Sequence, residues 1–72
     1  MSKFYKELKE LRESRKISLD EISERTKINV QYLQDIEKGS FEDIETPYLR
    51  LFLRAYAEEI GSDSQRALEQ LD

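Results

Sequence analysis

Between Ser18 and Gly39 the chain reads SLDEISERTKINVQYLQDIEKG, and the capping chemistry in this stretch leaves little freedom in what it can fold into. Ser18 and Glu21 have the S-x-x-E spacing of a capping box, in which the serine oxygen accepts from the backbone N–H three residues on and the glutamate reaches back to the N–H of the cap. Ile17 before the cap and Ile22 inside the helix can close a hydrophobic staple across that start. Asn29 is a second N-cap, flanked by Ile28 and Leu33 in the same staple geometry. Gly39 supplies the left-handed residue on which a helix stops. Two short helices joined by Thr26-Lys27-Ile28-Asn29 form a helix-turn-helix unit.

The rest of the chain allows one small all-α domain, residues 1–72, around that unit. At 72 residues it lies near the lower size at which a single unassisted core holds a fold. Cysteine and histidine are both absent. Disulfides, thiolate nucleophiles, most zinc geometries and the commonest general base are therefore missing, so neither an enzyme nor a metal or cofactor site is expected. The acidic residues Glu42, Asp43 and Glu45 lack the alternating oxygen ligands and central glycine of a calcium loop and read as a solvated linker. No apolar run approaches a membrane span or a signal peptide, so the chain as it stands is expected to be soluble and not self-exporting.

Five helices are expected, packed as a compact bundle. The first runs from about Lys3 to Arg15, with Phe4, Leu8 and Leu11 on one stripe and Lys/Glu pairs at i, i+4 spacing on the solvated side. The second covers about Leu19 to Arg25 and buries Leu19 and Ile22; the third covers about Val30 to Lys38 and buries Val30, Leu33 and Ile36. Phe41 and Ile44 anchor the linker that follows. Thr46 as N-cap and Pro47 at N1 open a longer fourth helix that runs to about Ile60 and is closed by Gly61. Ser62 and Gln65 form another capping box for a short fifth helix bearing Ala67, Leu68 and Leu71.

The fourth helix has more apolar surface than one core requires. At 3.6 residues per turn, Leu49, Leu53, Tyr56 and Ile60 form one stripe, while Tyr48, Leu51, Phe52 and Ala55 form a second. Either Leu51 and Ala55 pack on the first or last helix with the aromatics flanking the core, or Tyr48 and Phe52 project as an anchor pair for a protein partner. Composition and spacing leave both arrangements open.

Charge bears on nucleic acid as the competing ligand. Residues 1–16 hold six basic side chains against three acidic, whereas the remainder holds six against thirteen. Gln31 and Gln34, near the start of the third helix, have the amide chemistry that pairs with adenine, which makes a sequence-specific DNA-binding regulator the alternative function. Yet Asp20, Glu21 and Glu24 line the preceding helix, which in such a complex crosses the phosphate backbone. Nucleic-acid binding is expected to be weak or absent.

Taken together, LKELRESRKISLDEISERTKINVQYLQDIEKGSFEDI followed by PYLRLFLRAYAEEIG resembles the amino-terminal cytoplasmic domains of the RodZ family of bacterial cell-shape proteins. Leu8 to Arg12, the turn, and Ile36 to Gly39 are shared with phage-repressor-like (lambda-repressor-like) DNA-binding domains. Tyr32-Leu33, the short acidic linker, and then Tyr48-Leu49-Arg50, Phe52-Leu53-Arg54 and Tyr56-Ala57 are the distinguishing part. The resemblance implies an adaptor that binds MreB, the actin-like filament protein, in the cytoplasm at the inner face of the membrane. It also implies that the chain is the N-terminal part of a longer protein, whose contact with the membrane is made by a segment not in this sequence. Carried onto these positions, the partner-facing aromatics are Tyr48 and Phe52, with Tyr56 one turn further and more buried, and Gln31, Asp35 or Lys38 contributes from the third helix. Glu37 is expected to be structural, bonding a neighbouring helix.

Overall fold

The computed structural model describes residues 3–71. Among them are five α-helices, α1 (Phe4–Ser14), α2 (Leu19–Thr26), α3 (Val30–Lys38), α4 (Thr46–Glu59) and α5 (Ser64–Glu69), with one 3-10 turn, Phe41–Asp43, between α3 and α4, and no strand. The capping box forms as the sequence specifies: the Ser18 side chain accepts from Glu21 N at 3.1 Å, and Ser18 N donates to Glu21 Oε1 at 3.3 Å. Asn29 Oδ1 accepts from Gln31 N at 2.8 Å and starts α3.

Helix ends are closed in a repeated way. Ser40 N bonds back to Asp35 O at 2.9 Å around Gly39, and Ser62 N bonds back to Ala57 O at 2.9 Å around Gly61, which is the Schellman pattern. The end of α1 closes likewise, Ile17 N reaching Arg12 O at 3.2 Å, but the left-handed residue there is Lys16, at φ 59°. Lys27, at φ 66°, ends α2. Because Ser62 is consumed in closing α4, the N-cap of α5 moves from the expected Ser62 to Asp63, whose carboxylate accepts from Arg66 N at 3.2 Å. Thr46 is likewise the first residue of α4 and not its cap; Glu45 holds the cap position without a side-chain bond, and Pro47 falls in the first turn, where its missing N–H costs nothing.

The central helix is α3, which packs against α1, α2 and α4, while α5 folds back on α4. Leu33, Ile36, Leu53, Tyr56 and Ala57 are completely buried, and Leu8, Ile22, Ile28, Ile44, Leu49, Ile60 and Ala67 close the core around them. Leu19 and Val30, both expected inside, are half-buried because each is the first residue of its helix and lies at the margin of the core. The linker anchors as expected: Ile44 is buried and Phe41 packs on the core beside Phe4.

Candidate functional site

The two stripes of α4 have different fates. Leu49, Leu53, Tyr56 and Ile60 face inward, whereas Tyr48 is 53% and Leu51 60% exposed. Leu51 therefore packs on neither α1 nor α5. Phe52, between the two stripes, is partly buried: one side lies against the core and the other belongs to the outer surface. Its ring stacks on Tyr48 with centroids 6.0 Å apart, and on its other flank lies Tyr32 of α3 at 5.2 Å. Tyr32 is itself 39% exposed. The three rings line a surface cleft together with Asp43, Ile44 and Glu45.

Tyr32 was not among the residues that spacing assigned to this surface. The signal lay in α3: with Leu33 and Ile36 both inward, Tyr32 falls at the edge of the buried stripe, on the side towards α4. What a single sequence does not give is that the α3–α4 crossing brings it against Phe52.

Two proposed contact residues are corrected by burial. Tyr56 is completely buried and presents nothing to a partner. Its phenol donates to Glu37 Oε2, and the same carboxylate receives Arg12 of α1, Nε at 2.6 Å and Nη2 at 3.2 Å. Arg12 also donates from Nη1 to Ile17 O at 2.7 Å, so one guanidinium ties α1 to α3 and to the α1–α2 connection. Burial, followed by the bond to Glu37, pushes the Tyr56 phenol well above its ordinary range. The hydrogen bond to Glu37 is also the main cause holding the Arg12 guanidinium protonated more firmly than usual. Glu37 thus bonds two neighbouring helices, where the family resemblance implied one. Asp35 is the second correction: it is buried, and its carboxylate accepts from Gln31 Nε2 at 3.3 Å, which turns it along α3 and not outward.

Gln31 and Lys38 remain exposed on α3, and Gln34 is half-buried. The amide of Gln31, which would have to reach a base edge in a DNA complex, donates instead to Asp35. Asp20, Glu21 and Glu24 are all exposed on α2, so its outer side is strongly acidic. No group of metal-binding side chains is found among the described residues. No helix among them is long and apolar enough to cross a membrane.

Comparison with known proteins points in one direction. A family model described as a helix-turn-helix domain matches residues 7–67. The chain is 36% identical over 55 residues to the uncharacterized membrane protein YmfM of Bacillus subtilis, an alignment covering 75% of this chain and 19% of that protein. It is 35% identical over 57 residues to the cytoskeleton protein RodZ of Streptococcus pneumoniae, covering 78% of this chain and 21% of that one. The chain thus spans about a fifth of the length of the curated relatives it matches. No solved structure matches it.

Proposed function

The chain belongs to the helix-turn-helix domain family, in its RodZ-type form, and on that premise we propose that it is a protein-binding adaptor domain that couples an MreB-like actin-family filament to the membrane. The observation that carries the reading is the exposed aromatic face of α4 and α3. Tyr48, Phe52 and Tyr32 present clustered rings, with Leu51 beside them, where a small domain with a satisfied core would place polar side chains. Tyrosine and phenylalanine are the side chains that supply most contact area at protein interfaces for little loss of conformational freedom. Gln31 and Lys38 are also exposed on α3, but they lie about 100° or more around that helix from Tyr32 and do not line the cleft. In this reading a separate segment of the full-length protein makes the membrane link, and the domain works on the cytoplasmic side. The name of one relative, a membrane protein, and that of the other, a cytoskeleton protein, agree with this placement.

The α2 carboxylates and the internal engagement of Gln31 weigh against a DNA reader built on the same motif. One experiment separates the two: co-sedimentation of the domain with purified MreB filaments, run beside selection of the same protein on random duplex DNA. Filament-dependent pelleting with no enriched sequence supports the adaptor. An enriched operator whose recognition is lost in Gln31→Ala, together with no pelleting, would establish the DNA reader.

A further inference from the structure

The cleft between α3 and α4 has two chemistries in one lining, aromatic rings and carboxylates. Tyr32, Tyr48 and Phe52 supply the rings. Asp43, at the end of the 3-10 turn, and Glu45, at the cap of α4, are both exposed and line the same cleft. Glu45 holds the cap position of α4 without a side-chain hydrogen bond to the helix, and the cap position of the 3-10 turn is held by Ser40, so capping engages neither carboxylate. The N-terminus of α4 contributes roughly half a positive charge at this end, against two full negative charges from the side chains, so the cleft is net negative. Aromatic faces with a negative rim recognise a cation on an alkyl stem. The rings attract the charge through their quadrupoles and cover the methylenes, while the carboxylates pair with the head group.

We infer that this cleft receives a lysine or arginine side chain of the protein partner. The inference rests on the adaptor reading above and adds to it the chemistry of the contact. An arginine suits the site well, since its planar guanidinium can lie on a tyrosine ring and still direct N–H groups to a carboxylate.

The test compares three proteins, the parent, Asp43→Asn/Glu45→Gln and Tyr48→Ala, by titration against purified MreB at low and high salt, with a thermal melt of each. The expected result is that all three fold, that the neutralised pair binds on the order of tenfold more weakly at low salt, and that its affinity depends less on salt than the parent's. Tyr48→Ala should bind weakly while keeping the salt dependence of the remaining charges. If Tyr48→Ala loses binding but the neutralised pair matches the parent at every salt concentration, the cation is excluded and an apolar side chain fills the cleft, with the adaptor reading intact. If the parent binds and neither variant changes that binding, the cleft is not the contact and this inference fails while the adaptor reading stands; if the parent does not bind, the adaptor reading fails and this inference with it.

Discussion

Glu37 shows how one residue can set the geometry of the whole site without touching a ligand. Its carboxylate holds Arg12 of α1 and Tyr56 of α4 while its side chain is only 7% exposed. Replacing it with alanine leaves the half-buried Arg12 guanidinium with only Glu13, at 3.9 Å, as a counter-ion and the buried Tyr56 phenol without its acceptor, which together cost about 3–5 kcal/mol, comparable to the whole stability of so small a domain. Glu37→Ala is therefore expected to be largely unfolded by circular dichroism at 37 °C. The Tyr56 phenol adds a pH dependence. Because its pKa is raised in the folded state, the folded protein keeps that proton more tightly than the unfolded chain does. Its contribution is complete below the unfolded value of about 10 and is lost as pH rises above it. Above about pH 10, denaturant melts should show stability falling more steeply in the parent than in Tyr56→Phe. An equal slope in both would mean that Tyr56 is not responsible. The family resemblance implied a structural Glu37, but its partners lie 25 and 19 residues away in the chain, and only the packing of three helices brings them together.

The helix ends were the most legible elements, because capping is local chemistry. Ser18, Glu21, Asn29, Gly39 and Gly61 all act where their spacing placed them. Lys16 and Lys27 were not legible as left-handed residues, since a lysine gives no sign of φ; each takes that conformation because the residues around it fix the chain's exit. Gly39 also has a packing role: at φ 76°, a Cβ there would meet the Tyr5 ring, 2.5 Å from Cζ. Gly39→Ala should accordingly cost about 1–3 kcal/mol in a denaturant melt, the strain of a left-handed alanine, with displacement of the Tyr5 ring added to it. Leu33, fully buried on α3, should cost on the order of 2–5 kcal/mol when cut to alanine. On α4 the inner stripe followed from periodicity, but the division of the outer stripe did not. Leu51 and Tyr48 are wet and Phe52 is shared because α5 lies on the other side of the helix, a fact of tertiary packing.

At the scale of the molecule, the chain is a helix-turn-helix architecture with an acidic surface over α2 and an aromatic surface over α3 and α4. Duplex DNA should bind weakly and with a steep loss as salt rises, measured by fluorescence anisotropy, because only phosphate contacts from scattered lysines are available. In a membrane-anchored protein, tethering raises the effective concentration at the filament, so a modest affinity of the isolated domain would suffice. The central claim is that the aromatic face binds the filament protein while the core beneath it supports the fold. It is tested most directly by measuring the affinity of Tyr48→Ala for purified MreB next to its melting temperature. An exposed anchor loses about 1–4 kcal/mol of binding while stability changes by no more than about 0.5 kcal/mol. A variant that melts like the parent and binds MreB as tightly would contradict the account.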